Sequence, residues 1–276
     1  LTLPEEKQSA YWNRYGSWYG EQKQYLHALS AYGRSGNNDA ALEIVERDAG
    51  DLLSNLHPEE LLSRLNACPP EVLMRHPTAI LVLMRRMFTW RQIPKMLELK
   101  ALLEKAIEEN PAMDEKERGD LLGERDLIMS FLMYNDITKM SALHRSASRQ
   151  MTRPAVTIRA GSSWTFGSPS VLMMYYRAPG ELEKERFEMN ECMPHYYKIT
   201  NGHGLGAELV MDAEAELMQG RLSQAAIGLA RARARIAGSG QENMALCCDF
   251  LQLRLSLFGK TPPLDVQARK SALLSR

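Results

Sequence analysis

Apolar residues in this chain recur at steps of three and four, and that period excludes most folds. Leu97, Leu99, Leu102, Leu103, Ala106 and Ile107 show the spacing, which turns one side of a helix toward a core. One short patch, "AVTIRA" from Ala155 to Ala160, is β-like in composition, and strand signals are otherwise nearly absent. The chain is predicted to be all-α, with helices packing on helices. Hydrophobic residues make up 45% of its 276 residues, enough for a continuous core and too many for a disordered tail.

The helices are punctuated regularly. In "GRLSQAAIGLARA" a turn glycine, Gly220, is followed five positions later by Ala225, then by Leu229 and Ala232. The small residue admits a partner helix and the next two fill its groove, the pattern of the second helix in a tetratricopeptide-type repeat. The preceding stretch supplies Leu209, Ala213 and Leu217 for the first helix. The same offset leads from Gly36 to Ala41 and Val45, from Asn135 to Met140, His144 and Ala147, and from Gly180 to Glu185, Met189 and Cys192. Asn135, Gly180, Gly220 and Gly259 stand 45, 40 and 39 positions apart. "FTWRQIPKMLELKALLEKAI" adds a unit with Trp90 near its turn and Pro94 in a helical first turn, where proline is tolerated. An α-solenoid of about five or six tetratricopeptide-like pairs follows, with repeats of roughly 40 residues. Its N-terminal repeats are expected over residues 1–110 and its C-terminal repeats, with two long loops, over 111–276, as one continuous superhelix. "HPEEL", "CPPEVL" and Asp114 mark helix starts.

Composition narrows the partners. Basic and acidic residues balance at 34 each, so no basic footprint for nucleic acid is present; in "RARARI" only Arg231 and Arg235 share a helical face, which reads as solvated surface. The longest apolar run, "AILVLM" from Ala79 to Met84, is far short of the roughly 20 residues of a membrane span. Cys68, Cys192, Cys247 and Cys248 lack metal-site spacing and read as reduced thiols of a cytoplasmic protein. The chain opens on Leu1 without a signal peptide and stops on an uncapped helix-like segment, so it reads as part of something longer. Trp12, Tyr15, Trp18 and Tyr19 are expected in the core, as are most of the 16 methionines.

The segment from Tyr11 to Asp48, "YWNRYGSWYGEQKQYLHALSAYGRSGNNDAALEIVERD", followed by "LLSRLNACPPEVLMRHPTAILVLM", resembles the helical region of MalT-like regulators, large ATP-binding transcriptional regulators of the LuxR type. The resemblance extends from about Tyr11 to Gly259. It implies a superhelix that senses an inducer and assembles, set between an ATPase and a C-terminal DNA-binding helix-turn-helix. No G-x-x-x-x-G-K-[ST] loop and no recognition helix occur here, so ATP and DNA would be handled by segments outside this chain, and no cofactor is expected within it.

Two linkers interrupt the pattern. Gly202, Gly204 and Gly206 follow a helix rather than a strand, so they are no dinucleotide loop; they turn the chain into a helix from Ala207 to Met218, with Thr200 or Asn201 as its cap. One repeat earlier, about 16 residues containing Trp164 and Phe166 precede Ser168–Pro169, which reads as a helix start. Equivalent linkers of a solenoid lie on one edge, so the two are expected to be neighbours. Trp164, Phe166, Ser168, His195, Tyr196, Tyr197, His203 and Glu208 are the candidate ligand-binding residues. A sugar stacked on aromatic faces, or an anionic metabolite at helix starts, would suit them. His195 and His203 lie near Glu191, Glu208 and Cys192, but no H-E-x-x-H or comparable spacing supports a metal or catalytic centre. The expectation is a sensing and self-associating domain, not an enzyme; the alternative is a docking scaffold for a peptide or partner helix.

Overall fold

The computed structural model describes residues 4–271 apart from 52, 54–55, 163, 165–167, 177, 261–264, 266 and 269. Among the described residues there are fourteen α-helices and no strand. No described helix is long and apolar enough to cross a membrane. The chain forms two compact units, Leu1–Ile128 with Gln150–Thr152, and Met129–Arg149 with Arg153–Arg276.

The first unit contains α1 (Glu5–Glu21), α2 (Tyr25–Ser35), α3 (Asn38–Asp48), α4 (Pro58–Ala67), α5 (Pro70–Met74), α6 (Pro77–Thr89), α7 (Ile93–Glu108) and most of α8 (Glu115–Ser130). Helices α4 to α7 each carry proline at the first or second position, where a missing N–H costs nothing. Asp114 accepts a hydrogen bond from Glu117 N at 2.7 Å, fixing the start of α8. The core centres on α6, whose Ala79, Ile80, Leu81, Leu83, Met84 and Met87 are fully buried. A helix that is apolar around most of its circumference must be enclosed, and α3, α5 and α7 pack on it.

The aromatics of α1 do not form the expected core. Tyr15 and Trp18 are each 52% exposed, while the buried residues of α1 are Gly16 and Gly20. The Tyr32 ring of α2 lies where a Gly16 side chain would project, 2.6 Å from an ideal Cβ. Close approach through glycine turns the aromatic ridge outward, and Arg34 caps the half-buried Trp12 ring at 4.5 Å.

The second unit contains α9 (Ile137–Gln150) up to Arg149, α10 (Leu172–Tyr175), α11 (Leu182–Ile199), α12 (Ala207–Met218), α13 (Leu222–Ile236) and α14 (Glu242–Ser256). Helix α12 spans the predicted residues and packs against α10, α11, α13 and α14. Ala225, Leu229 and Ala232 are buried, as are Ala213 and Leu217, while Leu209 is half-buried. Gly228 brings α13 against α12 so closely that a Cβ there would lie 2.9 Å from that of Ala213. The "AVTIRA" patch is irregular, with Ala155 and Ile158 buried and Ala155 N donating to Ile199 O at 2.8 Å.

Three hairpins share one turn. The α1–α2, α6–α7 and α12–α13 connections are each three residues long, with a left-handed middle residue: Lys23 (φ 57°), Arg91 (φ 58°) or Gly220 (φ 75°). The third residue donates to the carbonyl five positions back at 2.9 Å in every case: Gln24 N to Tyr19 O, Gln92 N to Met87 O, Arg221 N to Glu216 O. These bonds satisfy carbonyls that a helix end leaves orphaned.

Candidate functional site

Helix α11 continues through Pro194 to Ile199, so His195, Tyr196 and Tyr197 are helical rather than part of a loop. The chain then turns through Asn201, Gly202, Gly204 and Gly206, all left-handed, into α12. Neither Thr200 nor Asn201 caps α12; the N-cap is Gly206, without a side-chain bond. Thr200 instead donates to Tyr196 O at 2.8 Å and closes the end of α11.

The preceding connector folds onto this turn. Trp164 is 7% exposed, and an ideal Cβ on Gly204 would lie 2.3 Å from its Nε1, so only glycine lets the indole seat there. Gly206 makes room for Ile236 of α13 in the same way, at 2.8 Å. His203 Nε2 pairs with the carbonyl of Ser162 at 3.0 Å, and its Nδ1 with the Tyr196 hydroxyl at 2.6 Å. A carbonyl only accepts, so Nε2 carries the proton and Nδ1 accepts from Tyr196 in the neutral ring. The Tyr197 hydroxyl accepts from Gly206 N at 3.0 Å, faces Gly204 O at 3.2 Å and donates to the Glu208 carboxylate. Burial, then the Glu208 charge, pushes the phenol well above its ordinary range, so it stays a donor.

The two irregular connectors are therefore neighbours, but they fill one another instead of framing an open mouth. Trp164, Tyr196 and His203 are buried, and Tyr197 is half-buried with its hydroxyl engaged. His195 stands apart, its Nδ1 3.4 Å from Ser148 Oγ on α9. Ser168 starts no helix: it bonds Ser170 in both directions, and Ser170 Oγ accepts from Met173 N at the start of the four-residue α10. Phe166 lies outside the described residues.

Three buried polar residues escape a reading by linear motif. Gln241, 6% exposed before α14, accepts from Gly204 N at 2.7 Å and donates to Ala160 O at 2.8 Å, so one amide ties both connectors to the α13–α14 corner. Glu214 is fully buried on α12 and accepts from Leu172 N at 2.8 Å; burial raises its pKa. His144 lies 2.9 Å from both Ser130 Oγ and Cys192 Sγ, with Tyr196 tilted 4.8 Å away. Partners 14 to 81 positions apart leave no local spacing to find.

The His144–Cys192 pair is not a thiolate–imidazolium pair. Burial, with a smaller contribution from His195, pushes His144 down from 6.5 to about 3, and burial pushes Cys192 up to about 12. Both are neutral at pH 7, so they form a core hydrogen bond rather than an activated nucleophile. A histidine with a depressed folded pKa takes its proton more readily when unfolded. Its contribution is therefore complete above pH 6.5 and lost as pH falls toward 3. Lowering the pH from 7 to about 5 is expected to cost wild-type on the order of 2 kcal/mol more than His144→Asn, read from urea midpoints. Equal pH slopes in the two proteins would refute this.

Thiol accessibility follows the same burial. Cys192, Cys247 and Cys248 are buried and Cys68 is half-buried. Burial raises Cys247 to about 12 and Cys248 to about 11. A native titration with an aromatic disulfide reagent is expected to find one reactive thiol, Cys68, and all four after urea.

Beside Gln241 an open cleft of about 590 Å³ is lined by Arg233, Ile236, Gly240, Glu242 and Asp249 among others. Arg231 and Arg235 are solvent-exposed, whereas Arg233 is half-buried and donates through Nη2 to Asp249 at 2.8 Å and Gln252 at 2.7 Å. Among the described residues no group of three His, Cys, Asp or Glu side chains is placed to hold a metal ion. No family model, curated protein or solved structure matches this chain.

Proposed function

We propose that this chain is the ligand-sensing and self-assembly region of a MalT-like, LuxR-type transcriptional regulator, an α-solenoid of tetratricopeptide-like pairs acting in the cytoplasm without catalysis of its own. DNA is reached only through a separate module, and the partners of this region are a small-molecule inducer and other protein chains. The resemblance from Tyr11 to Gly259 supports the reading. The observation that carries it is the joint made by Gln241, which links both long connectors to the wall of an open cleft. Plain linkers between helices require no such joint, whereas a sensor needs occupancy at one place to bear on segments elsewhere.

A thermal-shift panel of sugars, organic anions and amino acids tests this. A ligand at one hundred times its Kd stabilises by about 2.7 kcal/mol, a rise of roughly 5–10 °C for a domain of this size. Trp164→Ala is expected to abolish the rise. Protection by a partner protein and by no small molecule would favour the docking scaffold instead. That second reading draws support from the outer side of α14, where Leu246 and Leu253 are 44% and 37% exposed, and from Leu257 just past its end, 83% exposed.

A further inference from the structure

The α13–α14 cleft holds both signs of charge beside an aliphatic wall. Arg233 commits one nitrogen, Nη2, to Asp249 and Gln252, and its Nε and Nη1 donate to no described acceptor. The buried Asp249 pairs with that guanidinium at 2.8 Å, and the half-exposed Glu242 adds a second carboxylate to the cleft lining. Ile236, Ala237 and Ala245 supply the apolar surface.

This lining discriminates among ligand classes. Among the described residues no aromatic ring lines the cleft, so they offer a sugar no platform on which to stack. Two carboxylates against one guanidinium oppose a polyanion. A carboxylate can still take the free edge of Arg233, because a guanidinium presents its donors as a fork matched to two oxygens. An ammonium is attracted by Glu242 and Asp249, and a short aliphatic group fits the Ile236 wall. The volume falls within the roughly 300–1,000 Å³ of small-molecule sites.

We infer that this cleft binds a free α-amino acid with a small aliphatic side chain, its carboxylate on Arg233 and its ammonium toward Glu242. This rests on the sensor reading and specifies its ligand and place. Gln241 forms part of the cleft wall and holds Gly204 and Ala160, so the bound amino acid sits against the joint between the connectors.

The test uses the whole chain with L-alanine, L-valine and L-leucine, against leucinamide, N-acetyl-leucine, glucose and citrate. Calorimetry and thermal shift are expected to show binding of the free amino acids alone, because each derivative lacks one of the two charges. Arg233→Gln and Glu242→Gln are each expected to weaken binding at least tenfold. Glu242 is half-exposed, so its variant remains informative if Arg233→Gln, which breaks the Asp249 pair, folds poorly. Amino-acid binding untouched by either variant would overturn the location. Protection by glucose or citrate, but by no amino acid, would overturn the ligand class and leave the sensor reading standing. Silence from every small molecule would overturn both.

Discussion

Gly204→Ala is expected to destabilise the protein by about 3 kcal/mol, whereas Gly202→Ala two residues earlier costs about 1 kcal/mol. Both glycines are left-handed, at φ 73° and 77°, so each alanine pays a backbone penalty of roughly 1–2 kcal/mol. The difference is Trp164. A Gly204 Cβ would lie 2.3 Å from the indole Nε1, while nothing stands within 4 Å of a Cβ on Gly202. An indole is rigid and must leave its seat, giving up part of the roughly 3–5 kcal/mol at stake when a buried tryptophan is lost. Urea unfolding gives the two costs. Intrinsic fluorescence corrected with a Trp164→Phe reference should red-shift for Gly204→Ala alone. Equal costs for the two variants would mean that the connector does not dock on the turn.

The second large effect lies in the other unit. Leu83→Ala is expected to cost about 3–4 kcal/mol, because its side chain is fully buried within α6, and close-packed interiors relax only partly around a void. Leu97→Ala on the next helix, 44% exposed, should cost less than about 0.5 kcal/mol. Denaturant midpoints at a common m-value decide it. A cost below about 1 kcal/mol for Leu83→Ala would remove α6 from the centre of the core.

Much of the helical layout is legible in the sequence because its signals are local. Proline at helix starts, Asp114 before α8, and the spacing of Ala225, Leu229 and Ala232 all act within one or two turns. The neighbouring of the two connectors also follows from placing both between successive helices. What the sequence hides depends on distant partners. A reading of the sequence gathers His195, Tyr196 and Tyr197 around the glycine linker, yet α11 runs through Pro194 to Ile199 and holds all three in a helix. The α1 aromatics read as core because size usually wins burial, but at this position the Tyr32 ring takes the space above Gly16. The open mouth expected between the connectors is filled by Trp164, whose burial depends on a glycine 40 positions away. The Gln241 joint joins three segments that no window of sequence spans.

The recurring hairpin turn has a consequence for ancestry. Lysine, arginine and glycine occupy its left-handed position, and the same main-chain bond closes it each time. Side chains at these corners are free to drift while the amides and carbonyls go on making the same closure. Kinship among such units is better judged from which main-chain groups meet than from which letters recur.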